Sequence, residues 1–255
     1  MLNRREFIKT GSAASLSSIL AGQPILRALF QDAYEMKQLR NNVGIFTERG
    51  GTIGWLISDD GLVVIDSQFP DQANHLIDEI QKQSDRKIDL LINTHHHGDH
   101  SAGNIAFKDI AKKVVAHENS YANQKRVAEE RGGLDGQLLP DTTYKNGIWR
   151  EKVGDEVIAL HYYGAGHTDG DSFVHFENAN VVHTGDLLFN RRAPFVDKSA
   201  GADMASWQVV LEKAYQAFND DTVFIFGHSG NGYGITGKRS DLKAFQNYLG
   251  KVVEF

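Results

Sequence analysis

Six residues, His95-His96-His97-Gly98-Asp99-His100, carry four side chains able to bind a metal ion: His95, His97, Asp99 and His100, in the order H-x-H-x-D-H. The apolar run Ile88-Asp89-Leu90-Leu91-Ile92 in front of them reads as a short buried strand. If the chain stays extended past that strand, His95 and His97 share one face, because side chains alternate with a period of two. Gly98 then permits a sharp turn, which swings Asp99 and His100 toward a second point nearby. Imidazoles mixed with a carboxylate suit zinc, iron or manganese better than calcium or magnesium. Taken alone, a His-rich surface tract that picks up metal loosely would look the same.

Three later segments argue for a built site. His167 sits in the Gly-rich turn Tyr163-Gly164-Ala165-Gly166-His167-Thr168-Asp169-Gly170-Asp171-Ser172, between two strand-like runs. The apolar stretch Val181-Val182-His183-Thr184-Gly185-Asp186 ends on a carboxylate after glycine. Val223-Phe224-Ile225-Phe226 runs straight into Gly227-His228. All four segments are buried strands with a polar residue at the C-terminal end, and strand-end loops on a rigid scaffold are where sites are usually built. One such residue is ordinarily a turn or capping group; four in series are not.

In this order, H-x-H-x-D-H, then G-H-T, then G-D, then G-H, the chain resembles the metallo-β-lactamase fold superfamily of metallohydrolases, from about Val43 onward. The resemblance implies an α/β fold, an αββα sandwich of two β-sheets flanked by helices, with the metals at one edge between the sheets. It implies that His95, His97 and His167 hold one ion, that Asp99, His100 and His228 hold a second, and that Asp186 bridges them. Two zinc ions are the expected cofactors, with iron or manganese as alternatives, and Asp99 is expected also to orient the bridging hydroxide. His183 and Asp171 are expected to support the ligands from behind. His96, which alternates away from its neighbours, is expected to support or pack rather than ligate.

Composition narrows the rest. Four prolines, no low-complexity tract and no internal repeat in 255 residues favour one compact unit with a substantial core. A net charge of −6 with mixed signs argues against a nucleic-acid groove or a polybasic membrane surface. With no cysteine there are neither disulfides nor thiolate ligands. The run Asn3-Arg4-Arg5-Glu6-Phe7-Ile8-Lys9, followed by a weakly apolar small-residue stretch to Gly22, closely resembles a bacterial twin-arginine export signal; a short amphipathic helix is the plain alternative. Residues 1–30 are therefore expected to be a signal segment and 31–255 the hydrolase domain. The twin-arginine export machinery is an expected partner, and the periplasm or the exterior the expected location. No helix-stop signal precedes Phe255, so a continuation of the native chain is left open, as is the oligomeric state.

The elements that must position these residues can be read from periodicity. Residues 43–47, 52–58 and 62–66 read as strands, and residues 71–84 as a helix with Ala73, Leu76, Ile77 and Ile80 on one face. Beyond the metal strand, 101–110 reads as a helix, 113–116 as a strand, 118–131 as a polar helix and 132–147 as a loop bordering the pocket. Residues 156–163, 172–177, 181–184 and 222–226 read as strands, and 203–218 and 238–253 as helices. Strands followed by helix, twice over, fit two sheets covered by helices. His75 and His117, in or beside helices, are expected at the surface; His161 and His175 are expected half-buried in strands.

The superfamily spans β-lactamases, thioesterases, lactonases, sulfur dioxygenases, phosphodiesterases and nucleases, and fold does not choose among them. The charge balance and the lack of an added domain point to a small-molecule substrate and no nucleic acid, and two metals sharing a bridging oxygen make hydrolysis of an ester, thioester, lactone or amide the expected reaction. β-Lactamase-like activity on β-lactam amides, or a mono-iron oxygenase or redox protein on the same fold, are the alternatives. Against β-lactams, Asp186 stands where one β-lactamase branch has a ligand cysteine. Phe189 stands where that branch has a lysine for the drug carboxylate, although Arg191 and Arg192 lie close by.

Overall fold

A computed structural model of the chain describes residues 34–253; the residues read above as an export signal lie outside that range. A seven-stranded sheet runs in chain order: β1 (Glu35–Arg40), β2 (Val43–Thr47), β3 (Ile53–Ile57), β4 (Leu62–Ile65), β5 (Leu90–Ile92), β6 (Val114–His117) and β7 (Thr142–Tyr144). A six-stranded sheet is built from β8 (Gly147–Val153), β9 (Glu156–Tyr162), β10 (Phe173–Phe176), β11 (Val181–His183), β13 (Val223–Ile225) and β15 (Thr236–Gly237). A short ribbon pairs β12 (Phe189–Asn190) with β14 (His228–Ser229).

Inward-facing residues of both sheets interdigitate. Val43, Ile45, Val63, Ile65, Leu90 and Ile92 of the first sheet form one core with Ile158, Leu160, Val174, Phe176 and Ile225 of the second. The outer face of the second sheet (Phe173, Val182, Phe224) packs on two helices, α4 (Met204–Ala217) through Trp207, Val210, Leu211 and Ala214, and α5 (Arg239–Val253) through Leu242, Phe245 and Leu249. Both helices repeat apolar residues at three- and four-residue intervals, which makes one stripe per helix. Earlier in the chain, α1 (Pro70–Gln81) buries Ala73, Leu76, Ile77 and Ile80 at the same spacing. Two sheets flanked by helices make the αββα sandwich. Among the described residues no helix is long and apolar enough to cross a membrane.

Strand direction decides where the polar strand ends collect. β4, β5 and β6 are parallel neighbours, as are β11 and β13. β9 and β11 are both antiparallel to β10 and so run the same way. The C-terminal ends of these strands therefore emerge along one edge. There the two sheets are tied by hydrogen bonds, Thr52 N–H to Gly227 C=O at 2.9 Å and His183 Nε2–H to Thr52 C=O at 2.9 Å.

Four local expectations need correction. Residues 132–147, read as a loop, contain the strand β7, paired in parallel with β6. His161, expected half-buried, is buried. Instead of a helix over 101–110, a single α-turn, α2 (Gly98–Ser101), gives way to a 3-10 segment at Ala102–Phe107. Gly103 lies against the Ser67 backbone, where a Cβ would overlap the Ser67 carbonyl, and its N–H is taken by Gln68 C=O at 2.8 Å and so does not bond along a helix. His117 is buried, not at the surface. It caps α3 (Glu118–Glu130), its Nδ1 accepting from Asn119 N–H, and its Nε2 donates to Lys145 C=O at 2.6 Å.

Candidate metal centre

The edge gathers side chains from both sheets. The loop after β5 supplies His95 and His97, and α2 supplies Asp99 and His100. His167 comes from the β9–β10 turn, Asp186 from a 3-10 turn at Gly185–Leu187 after β11, and His228 from the start of β14. One donor atom each from His95, His97, His167 and Asp186 lies within 4.8 Å of the others, and the same holds for Asp99, His100 and His228. Asp186 joins the two groups, its oxygens 3.5 Å from His167 Nε2, 3.1 Å from His100 Nε2 and 3.5 Å from His228 Nε2. Glycine is required where the backbone passes closest: a Cβ on Gly51 would overlap the His100 ring, and one on Gly227 would overlap Asp186 Oδ1.

The outer nitrogens of the rings are held by specific partners, which fixes what the inner nitrogens can do. His97 Nε2 faces Asp197 Oδ2 at 3.0 Å, and His167 Nδ1 donates to Phe195 C=O at 2.8 Å. His100 Nδ1 donates to Asp66 Oδ2 at 2.7 Å. Thr94 Oγ1 donates to that carboxylate at 2.8 Å and accepts from His95 Nδ1 at 3.0 Å. On the His95, His97 and His167 rings, with each proton placed outward, lone pairs face inward. His95 Nε2 and His167 Nε2 then lie 3.1 and 2.9 Å from His97 Nδ1. Acceptors this close repel one another unless a cation sits among them. A tetrahedral zinc with bonds of about 2.0–2.1 Å spaces its donors roughly 3.3 Å apart, so the rings are within a few tenths of an ångström of that arrangement. Asp186 Oδ1, buried and without a well-aligned hydrogen-bond donor, is an orphan of the same kind. The residues fit a metal pair.

Electrostatics follow from burial and crowding. Burial and the neighbouring rings hold His95 well below the usual imidazole range, and burial takes His167 down to about 4. Burial alone would also lower His100, but Asp186 and Asp66 on either side hold it well above that range. Burial would raise Asp99, yet the His228 hydrogen bond and the His100 charge bring it to about 2; Asp186 is likewise held well below the carboxylate range by the surrounding histidines.

All seven residues of the H-x-H-x-D-H, G-H-T, G-D and G-H motifs meet at this edge. The two supporting candidates lie directly behind them and touch backbone. Asp171 accepts from Thr168 N–H at 2.6 Å and from Thr168 Oγ1 at 2.8 Å, bracing the turn that carries His167. His183 Nδ1 accepts from Gly185 N–H at 3.1 Å, next to Asp186. His96 lies outside both groups, 3.7 Å from Asp197 through Nε2. Asp66 and Asp197 were missed. Asp66 closes an apolar strand as Asp186 does, so the same signal was present; nothing local marks Asp197. The loop after β12 reaches over the site with Phe195, 63% exposed and 5.6 Å from the His97 ring. A cavity of about 360 Å3 opens beside His228, bordered by Gly51, Thr52, Arg192, Gly227 and Tyr233.

Known proteins resemble this chain over most of its length. A metallo-beta-lactamase type 2 from Bacillus sp. (strain 170) is 22% identical over 240 residues, 89% of this chain and 88% of that protein. Metallo-beta-lactamase IND-1 from Chryseobacterium indologenes is 24% identical over 217 residues, 80% of this chain and 86% of its own. The solved metallo-beta-lactamase from Pontibacter korlensis superposes with a TM-score of 0.67 at 20% identity, over 86% of this chain and 99% of its own. The family model described as the metallo-beta-lactamase superfamily matches residues 47–228, which takes in every cluster residue. The chain belongs to the metallo-β-lactamase superfamily.

Proposed function

We propose that the protein is an exported dinuclear zinc hydrolase that cleaves an ester, thioester, lactone or amide bond in a small molecule. The observation that carries this reading is the convergence of five histidines and two aspartates in two adjoining groups joined by Asp186. His95, His97 and His167 would hold one ion, Asp99, His100 and His228 the other, and Asp186 would bridge them. Held by these residues, zinc would lower the pKa of a water to about 7 from 15.7 and would polarise the substrate oxygen. Around it, Asp66, Asp197, Thr94 and the Phe195 carbonyl keep the ring protons pointing outward. Asp99, whose side chain is 34% exposed, is the cluster carboxylate that reaches solvent and can orient an incoming water by accepting its hydrogen bond. Arg192 borders the cavity and offers a cation to an anionic substrate group. The Arg4-Arg5 run supports export.

The names of the relatives make β-lactam amides the rival substrate. Asp186 in place of a cysteine ligand and Phe189 in place of a lysine favour another bond. The test is metal content of the natively purified full chain beside a hydrolysis screen over lactones, thioesters, phosphodiesters and cephalosporins. Two zinc ions per chain with turnover of a lactone or thioester is the expected result. One iron per chain without hydrolysis would overturn it in favour of an oxygenase or redox protein.

A further inference from the structure

The second sheet carries another set of metal-capable side chains, on the face turned away from the inter-sheet core. Alternation along β9 sends Ile158 and Leu160 inward to that core and leaves His161 on the outer face; along β10 it sends Val174 and Phe176 inward and leaves His175 outside. The register pairs His161 with Phe173 and His175 with Ala159, so the two histidines are diagonal neighbours, with ring centroids 5.8 Å apart. Both lie edge-on to Phe218, at 5.3 and 5.2 Å, where α4 ends. Glu177, two positions after His175, shares their face.

Their polar atoms are incompletely used. His161 is 6% exposed, and its Nδ1 is taken by the Tyr163 hydroxyl at 3.0 Å. The Nε2 atoms of His161 and His175 are buried and have no hydrogen-bond partner in the protein. A buried imidazole nitrogen that meets no protein group is uncommon; here two occur side by side next to a carboxylate. One donor atom from each of His161, His175 and Glu177 lies within 4.8 Å of the others. Arg150 Nε donates to Glu177 Oε1 at 2.7 Å, so that oxygen is engaged and Oε2 is the one left to turn toward the rings.

We propose that His161, His175 and Glu177 form a third metal-binding site, separate from the Asp186 centre, which takes a divalent transition cation of the zinc, cobalt or nickel type. Two imidazoles and one carboxylate are the donor set these ions favour over calcium or magnesium. The ion would tie β9 to β10 beneath the end of α4, and water would complete its coordination. Arg150 places a positive charge beside the site, so this ion should bind more weakly than those at the centre and leave first on dialysis.

The full chain is dialysed to equilibrium at a series of fixed free-zinc concentrations and bound zinc is counted by plasma mass spectrometry. The wild type is compared with His175→Ala, with Glu177→Gln, which alters only a partly exposed side chain, and with Arg150→Gln. The first two variants should bind one ion fewer at saturation, with hydrolysis of the best screened substrate unchanged. Arg150→Gln should tighten the weakest ion roughly tenfold, as expected for removing one charge a few ångströms away at surface dielectric. Equal zinc counts in wild type, His175→Ala and Glu177→Gln at every concentration would overturn the proposal. So would a loss of turnover in Glu177→Gln, since the site would then not be separate. Failure of the dinuclear reading would show differently, as a wild type with fewer than two tightly held ions.

Discussion

Asp186 is 4% exposed and stands within 3.5 Å of imidazole nitrogens from three separate segments. Asp186→Asn keeps its shape and removes its charge. Changes to groups behind a metal ligand cost about 10–100-fold in metal affinity, and loss of a bridging charge should cost at least that much. The expected outcome is one ion instead of two after dialysis, with the fold intact; an Asn variant that keeps two ions and normal turnover would show that Asp186 only shapes the turn. Asp66 makes the complementary case. It is fully buried, adopts φ 63°, and accepts from Thr94 N–H at 2.8 Å as well as from Thr94 Oγ1 and His100. Asp66→Asn should weaken the ion held by His100 about 10–100-fold, read from a chelator competition, and leave the His95, His97 and His167 ion less affected. The seven cluster residues were legible because their chemistry and their strand-end spacing are local. Asp66 carries the same strand-end signal, whereas Asp197 carries none; what no local pattern gives is their pairing with His100 and His97, made across 34 and 100 residues of chain.

The same division holds for elements. Strands β2 to β6 and β9 to β11 are short apolar runs buried on both faces, and each was readable from composition. β1, with the sequence EMKQLR, and β8, with GIWREKV, are mostly exposed and carry no such run; they are strands because a neighbour offers a free edge. β7 was hidden in the Gly-rich stretch before Gly147 for the same reason. The β9–β10 turn allows a direct test of how an element holds the site. Burial pushes the Asp171 carboxyl up to about 8, although both hydrogen bonds from Thr168 favour its ionised form. An unfolded Asp releases its proton near 4, so between about pH 4 and pH 8 the folded chain holds a proton that the unfolded chain has lost. The stability this contributes is complete below pH 4 and is lost as pH rises toward 8, by up to about 1.4 kcal/mol per pH unit. Asp171→Asn cannot ionise. In excess chelator, its denaturation midpoint should therefore fall less steeply with pH over that window than the wild type's; parallel curves would mean that Asp171 is already ionised at pH 5.

At the scale of the whole molecule, two questions are open to direct test. One is location. Replacing Arg4 and Arg5 together by Lys should leave folded, metal-loaded protein in the cytoplasm, because the paired arginines are the part of the N-terminal sequence an export receptor of this type would read; normal periplasmic levels of the double variant would refute this. The other is substrate. Phe189 is 5% exposed, stacks on the His228 ring at 5.7 Å with a 17° tilt, and has the Phe245 ring 6.2 Å away. Nothing at that position can pair with a drug carboxylate. A charge-assisted contact is worth about 1.5–3 kcal/mol, so its loss should lower kcat/KM for cephalosporins roughly tenfold to a hundredfold relative to an enzyme that has it. Phe189 instead secures the ribbon that carries His228, which ties the shape of the pocket to the placement of a cluster residue. Measured cephalosporin turnover should therefore be weak. Efficient turnover would transfer the missing charge to Arg192, the cation that borders the cavity beside His228, and Arg192→Ala would then raise KM with little change in kcat.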